Sequence, residues 1–359
     1  TPGTHASILP RRGARILFSG QVACAPVGQG APTDARRREL LRLRRRPVTR
    51  RRFLIGCSAP MTTAAARPHG SMLAHDDGPL IMGIVNANAD SFSDPRATMG
   101  PEAVIAGATE LVDAGADLLD IGGQTASPAV AEISIDEELT RVLPVIEALA
   151  AELPQVPLSV DTYRLEVAEA ALQAGASVLN NIIGAQHAEF AALAVRHDAL
   201  HVITHNPGAP KTKLLENDRY GDVVEDVGVY FRAQLDELGS VPGALEATII
   251  DPGIDLAKTP AQSLELLRRA SEFDALGVPV LMAISRKDVI GVMTESPPDQ
   301  RLAGTLAVLG HLRSGGQRIF RLHDVAEARR YLDVCRYLEG ENQIDAAARL
   351  APELRRRQA

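Results

Sequence analysis

Polar side chains recur at a steady beat along an otherwise apolar body. Asn86, Asp120, Asp161, Asn180, His205 and Asp251, then Ser285-Arg286-Lys287 and Arg321-x-His323, each stand at the end of a short apolar run. One such residue is readily a helix cap; a polar group at the end of every one of eight runs is hard to attribute to capping. Their types are informative. Asp161, Asn180 and Asp251 suit a flat heterocycle bearing several N–H donors and a carbonyl, because a buried polar group left unpaired costs about 1–3 kcal/mol. Ser285, Arg286, Lys287, Arg321 and His323 offer hydroxyl, cationic and imidazole groups suited to an anion. Together they describe a bipolar ligand, with an amidine-like ring at the bottom of a site and an anion at its rim. No Ser-His-Asp order, close acid/base pair or His-x-His pattern accompanies them, although a metal can arrive with a phosphate.

Positioning such a set requires strands that end on one face. The apolar runs are Leu80–Val85, Asp117–Ile121, Pro157–Val160, Ser177–Leu179, Leu200–Ile203, Ala247–Ile250, Val278–Met282 and Arg318–Phe320. Helical patterns fill 101–114, 137–151, 165–174, 187–197, 222–238, 260–274, 300–313 and 325–338. Gly115, Gly175 and Gly277 stand just past a helical pattern, where a left-handed residue is needed. Runs apolar at every position imply burial on both faces, as in a parallel sheet covered by helices. Eight β–α units in about 260 residues fit an α/β (β/α)8 TIM barrel. A doubly wound open sheet is the alternative, but no Gly-x-Gly-x-x-Gly follows a strand. Loops 86–100, 204–221 and 283–299 are long, and all follow strands. In a barrel the functional site lies at the C-terminal strand ends, with phosphate commonly held after the last two strands.

Composition bounds the rest. Of 38 basic and 45 acidic residues in the 359-residue chain, fourteen Arg and two acids (Asp34, Glu39) fall in 1–75, leaving 24 basic and 43 acidic for 76–359. The body is therefore acidic, its anion sites must be local, and nucleic acid is not its expected partner. Residues 1–75 lack periodicity and are expected to form a disordered, Arg-rich extension. Within it, Arg50-Arg-Arg-Phe-Leu-Ile-Gly has the look of a twin-arginine export signal, but Cys57-Ser-Ala-Pro-Met-Thr-Thr turns polar too soon for its apolar core. The extension could instead be a basic arm for nucleic acid or anionic lipid. The plainest reading is a solvated segment ahead of a start at Met61 or Met72. Residues 76–345 form the barrel and 346–359 a charged tail. Cys24, Cys57 and Cys335 are too few for a disulfide framework or zinc site and suit a reduced, cytoplasmic setting. No apolar run is long enough to span a membrane.

The motifs together resemble the dihydropteroate synthase family over about 81–338. They are Ile81-Met-Gly-Ile-Val-Asn86 with Asp90-Ser-Phe-Ser-Asp94, Asp120-Ile-Gly-Gly123, Ser159-Val-Asp-Thr-Tyr163, Asn180 with Ile182, Asp251-Pro-Gly253 with Lys258-Thr259, Ser285-Arg-Lys287 with Gly291, and Arg321-x-His-Asp-Val325. The resemblance implies a folate-pathway transferase that joins 6-hydroxymethyl-7,8-dihydropterin diphosphate to p-aminobenzoate and releases diphosphate. It implies that Asp161, Asn180, Asp251 and Lys287 bind the pterin, and that Asn86, Arg321 and His323 hold the diphosphate with Mg²⁺ at Asn86. It places Ser285, Leu256 and Ser127 in the p-aminobenzoate region and gives catalytic roles to Lys287, Asp90 and Asp94. Mobile loops after the first two strands would close over the amine. It also implies a homodimer built through the last helices, and 300–338 is apolar enough to allow one.

Departures from the family pattern gather at the rim. The family loop Glu-Ser-Thr-Arg-Pro-Gly here reads Gln124-Thr-Ala-Ser-Pro-Ala129, with Ser127 in place of the arginine. A Ser hydroxyl offers one neutral hydrogen bond where an Arg fork binds phosphate bidentately. The first loop lacks the family's Thr-Pro pair, and Arg96 could replace the missing guanidinium. Asp255 and Leu256 stand where the family has Gly-Phe, Asn181 where it has Asp, and Ala283 where it has Gly. Asp255 is expected to place negative charge beside an anionic substrate and so weaken p-aminobenzoate binding. Three readings follow. The foremost is a working, divergent synthase. The second is a catalytically impaired or repurposed pterin-binding paralogue. The third, a methyltetrahydrofolate–corrinoid methyltransferase, is disfavoured by Ser285-Arg-Lys287 and Arg321-x-His323, which that family normally lacks.

Overall fold

A computed structural model of the chain describes residues 78–87, 100–125, 130–208, 214–351 and 354. The Arg-rich extension, Asp90, Asp94, Arg96 and Ser127 lie outside the described residues.

Eight parallel strands alternate with helices. The strands are β1 (Leu80–Asn86), β2 (Leu118–Gly122), β3 (Leu158–Asp161), β4 (Val178–Asn181), β5 (Leu200–Thr204), β6 (Thr248–Asp251), β7 (Leu281–Ala283) and β8 (Ile319–Leu322). The helices are α1 (Pro101–Asp113), α2 (Ile135–Glu152), α3 (Leu165–Ala174), α4 (His187–Arg196), α5 (Val223–Leu238), α6 (Pro260–Arg268), α7 (Asp288–Thr294), α8 (Leu302–Ser314) and α9 (Val325–Leu338). The ladder runs β6-β5-β4-β3-β2-β1-β8-β7. A single parallel bridge, Ile250 to Val280, joins the two free edges, so the (β/α)8 barrel has a seam between β6 and β7.

Sequence chemistry explains the elements. Ser134 caps α2 by accepting from the Glu137 N–H, and Asp136, Glu137 and Glu138 occupy the first turn, where the helix dipole favours acids. Thr259 and Gln262 form a capping box at the start of α6, with Pro260 in its first turn. Gly115, Gly175 and Gly277 take positive φ as expected of them.

Two differences from the sequence expectation matter. The strands extend one or two residues beyond the apolar runs, so that Asn86, Asp161, Asn180, Asp251 and Arg321 lie within the ladder. The ladder continues because backbone pairing does not depend on side-chain polarity when the residue faces an open mouth. The stretch 283–299, expected to be a loop, contains α7. Its seven residues include two Val, an Ile, a Thr and a Gly, which gives no helical signature on its own.

The barrel interior is filled at its lower end by Met82, Leu118, Val178, Leu200, Val202, Ile249, Leu281 and Ile319. The two-residue strand period then fixes what lies above. Asp120 follows Leu118, Asn180 follows Val178, Asp251 follows Ile249 and Arg321 follows Ile319 on the same inward face. A second, larger apolar layer packs the outer strand faces against the helices.

Candidate functional site

Asp120 is the hub. It is fully buried in the middle of β2. Its Oδ1 accepts from Ser159 Oγ of β3 at 2.5 Å. Its Oδ2 accepts from Asn180 Nδ2 of β4 at 2.9 Å and from Arg321 Nε of β8 at 2.6 Å. Arg321 Nη2 continues to Asp161 Oδ2 at 2.9 Å. One guanidinium therefore bridges two carboxylates from different strands, and four strands are tied at one level. The Asn180 Oδ1 is buried without a hydrogen-bond partner, an acceptor left available inside the site.

Asp251 lies opposite Thr204 of the neighbouring strand. Its Oδ1 accepts from the Gly253 N–H at 2.8 Å. Burial pushes the Asp161 carboxyl up to about 7, against the opposing pull of Arg321, with Asp120 adding to the rise. Burial also raises Asp251, while the Gly253 N–H and Lys287 hold it down. Arg321 stays cationic: burial disfavours its charge, but Asp120 and Asp161 outweigh that and raise its pKa. Lys287 and Arg321 act on both Asp161 and Asp251. The structure thus brings Asp161, Asn180, Asp251, Lys287 and Arg321 into one electrostatic unit.

The anion-type residues are arranged differently from a simple rim cluster. Ser285 Oγ accepts from the His323 backbone N–H at 3.0 Å and lies 2.9 Å from His323 Nδ1. Burial, helped by Arg321, pushes the His323 ring down to about 3, so it is neutral at pH 7. The Ser285 hydroxyl proton is then free to donate to Nδ1, which leaves the ring proton on Nε2 as a donor. Arg286, grouped with the anion residues on sequence grounds, has its guanidinium on Asp324 at 3.1 and 2.6 Å. Asn86 ends β1 opposite Gly122.

The loop after β6 is rigid. Lys258 Nζ, only 1% exposed, reaches the carbonyls of His205, Gly253 and Leu256 at 3.0, 3.0 and 2.8 Å and His205 Nδ1 at 2.9 Å. Burial pulls this amine down to about 7. Gly253 has φ 71°, and a side chain there would meet the His205 carbonyl oxygen at 2.2 Å. Only glycine fits. The clamp holds Leu256 half-buried at the mouth. His205, counted among the strand-end groups, lies on the outer face of the strand against Tyr220, Tyr230 and Phe231. It supports this loop and is not part of the Asp120 cluster.

Asp255 has partners within the protein. It holds φ 64°, a left-handed conformation that costs a non-glycine residue roughly 1–2 kcal/mol. Its Oδ2 accepts from the Asp288 N–H at 2.5 Å and the Val289 N–H at 3.4 Å. One oxygen of the carboxylate is therefore engaged by the first amides of α7, while Oδ1 is buried without a hydrogen-bond partner. Asn181 is likewise engaged close to its own position. Its Oδ1 accepts from the Ile183 N–H and its Nδ2 donates to the Ala185 carbonyl, closing the turn after β4.

Sequence reasoning gave Asp120, Ser159, Lys258 and Glu138 no individual roles. Asp120 had a signal, a carboxylate inside an apolar run. Glu138 had a weaker one, an acid on the buried face of α2. It accepts from Arg164 Nη1 at 2.7 Å and Gln124 Nε2 at 3.2 Å and so fixes the start of the loop after β2. A family glutamate at 124 would oppose it; Gln124 supplies a donor.

Among the described residues no group of three His, Cys, Asp or Glu could hold an ion. A Mg²⁺ ion carried by substrate phosphates and water needs only one or two protein oxygens.

Comparison with known families matches residues 82–323 to the family described as pterin binding enzyme. The chain is 42% identical over 250 residues to the dihydropteroate synthase of Synechocystis sp., covering 68% of this chain and 85% of that protein. It is 37% identical over 269 residues to a Mycobacterium bovis protein named inactive dihydropteroate synthase 2, covering 74% of this chain and 84% of that one. Among solved structures it is similar to a Clostridium difficile dihydropteroate synthase determined in the presence of pteroic acid. That match has TM-score 0.66 and 35% identity, covering 73% of this chain and 97% of that chain.

Proposed function

The chain belongs to the pterin binding enzyme family, among relatives of the dihydropteroate synthases, and from that premise we propose that it condenses 6-hydroxymethyl-7,8-dihydropterin diphosphate with p-aminobenzoate. The observation that carries the reading is the convergence on one barrel mouth of Asp161 and Asn180, tied through Asp120 and Arg321, with Asp251 and Lys287 in electrostatic reach. Asp161, Asp251 and the Asn180 Oδ1 accept from the N–H groups of the ring, and Lys287 faces its carbonyl. Arg321 and the Nε2–H of His323 receive the diphosphate, with Asn86 at its outer side. The Asn86 oxygen would hold Mg²⁺, which would supply positive charge opposite the departing diphosphate.

The chemistry asked of these groups is electrostatic. The methylene–oxygen bond breaks with its electron pair leaving on diphosphate. The methylene–nitrogen bond forms from the amine, which gives up one proton. Fixed cationic donors stabilise the leaving anion without reorganising. Buried carboxylates along the ring edge stabilise the cationic methylene in the same way. Leu256 and Ser285 border the aromatic amine; the same reading assigns Ser127 to the p-aminobenzoate region and catalytic roles to Lys287, Asp90 and Asp94. Exposed Val334 and Leu338 on α9 support pairing of two copies through the last helices.

The test is diphosphate release by the purified full chain. It should require both substrates, and release without p-aminobenzoate would refute the reading. A second reading, a pterin-binding paralogue without turnover, draws support from Ser127 and Leu256 at the rim and from the likeness to the protein named inactive. It gives pterin binding by calorimetry, abolished in Asp161→Ala and Asp251→Ala, with no diphosphate released.

A further inference from the structure

We propose that Asp255 is a positioning residue that clasps the loop after β6 to the loop after β7, so that Leu256 and Lys287 are held as one unit across the barrel seam. The proposal rests on the roles given to Leu256 and Lys287 above. The seam is where the ladder is weakest. β6 and β7 end the strand order and meet in the single bridge between Ile250 and Val280, with the Ile250 N–H on the Pro279 carbonyl. Loops elsewhere in the barrel leave strands held in register by several paired residues. The loops carrying Leu256 and Lys287 have no such ladder between them.

Each loop is firm on its own side. Lys258 gathers the carbonyls of Gly253, Leu256 and His205, tying the first loop to β5. Arg301 Nη1 holds the Arg286 carbonyl and Asp288 Oδ1, and Thr305 Oγ1 accepts from the Arg286 N–H, tying the second loop to α8. A side chain at Gly291 would collide with the Arg301 guanidinium at 2.3 Å, so this packing is close. The Asp255 carboxylate crosses from the first body to the second, onto the two amides that follow Lys287. Its own N–H donates to Ser263 Oγ of α6 at 3.0 Å, anchoring the clasp at its base. α7 has too few residues to sustain its own first turn, and no side chain within it caps that turn. The left-handed backbone at Asp255 is a strained choice for a non-glycine residue, and the carboxylate is what the strain delivers.

Two variants of the full chain test this. Asp255→Gly keeps the left-handed backbone and removes the carboxylate. Asp255→Asn keeps an acceptor and a residue that tolerates that backbone. By hydrogen exchange, Asp255→Gly should speed exchange in both 254–257 and 286–289 by about tenfold, the equivalent of one lost hydrogen bond. Its dissociation constant for a 6-substituted pterin should rise about threefold to tenfold. Its Tm should move only a few degrees, since cap loss and strain relief oppose each other. Asp255→Asn should restore most of the affinity, which a general loss of stability would not produce. Exchange confined to 288–289, or faster exchange in both loops with unchanged affinity, overturns the proposal. If the unsubstituted chain binds no pterin, the proposed function fails on that result alone. The clasp is then judged by whether Asp255→Gly loosens both loops or one.

Discussion

Pterin affinity should fall as pH falls through 7, and Asp161 is the reason. Its carboxyl is pushed up to about 7 by burial, with Arg321 opposing and Asp120 reinforcing the rise. The ionised form accepts from ring N–H groups through both oxygens, whereas the protonated form turns one of them into a donor, so binding strengthens as pH rises through 7 and weakens as the carboxylate gains its proton. With a pKa of about 7, the dissociation constant at pH 6 should exceed that at pH 7.5 by about eightfold, or about 1.3 kcal/mol. Asp251 is raised by burial too and acts in the same direction. Lys258 also gains a proton in this window, but it bonds to three carbonyls and His205 and touches neither acid. Asp161→Asn separates the candidates. It should weaken binding about tenfold to a hundredfold, the worth of a charged hydrogen bond, and flatten the profile between pH 6 and 7.5. Calorimetry with a 6-substituted pterin lacking phosphate reads both quantities. Affinity in the unsubstituted chain that is level or rises toward pH 6 would refute the reasoning. A profile in Asp161→Asn as steep as before would assign the titration to another group.

Leu256→Phe should lower the KM for p-aminobenzoate about threefold to tenfold, the worth of an aromatic pair, with little change in kcat. Ser127→Arg should raise kcat/KM for the pterin diphosphate by about tenfold or more, the worth of a charged contact to phosphate; steady-state kinetics reads both. Acid should destabilise the fold through its buried neutral histidines. His201 is fully buried with neither ring nitrogen partnered, and burial, then His187, pull it down to about 3. The unfolded ring, with a pKa near 6.5, takes up its proton first, so stability is full above pH 6.5 and is lost as pH falls toward 3. From pH 7 to pH 5 this one ring costs about 2 kcal/mol, and His201→Phe should remove that much of the pH dependence in urea unfolding. Val334→Glu on α9 should convert a two-copy assembly to single chains in light scattering; an unchanged mass would set the last-helix interface aside.

The barrel was legible because its signals are local. A continuous apolar run, a Gly after the helix and a polar residue at the run's end recur along the body, and each survives without knowledge of its neighbours. The site was legible only as far as composition at strand ends reaches. Asn180 and Asp251 sit where the beat puts them. What joins them is not in the beat. Arg321 lies 201 residues from Asp120, and nothing near either residue announces the pair. Arg286 shows the converse: a cation in a promising segment whose partner, Asp324, lies just after β8. α7 was hidden for the same reason, since its cap comes from Asp255, thirty-three residues earlier. Tertiary partners overrode local propensity at each of these places.

The departures from the family pattern follow the bonding. Floor residues are bound to one another: Ser159, Asn180 and Arg321 all end on Asp120, and Asp161 shares the same guanidinium. Replacing one leaves a buried partner unpaired, which costs far more than the single bond lost. Rim residues other than Asp255 depend on a few partners near their own loops. Leu256 is held by its carbonyl, not its side chain, so Phe can become Leu without disturbing the clamp. Gln124 and Asn181 each answer to one or two local partners. A sequence drifting under these constraints keeps its ring-binding floor and varies its amine and anion contacts. Differences among such chains should therefore lie in how well they turn over the second substrate, with recognition of the heterocycle held in common.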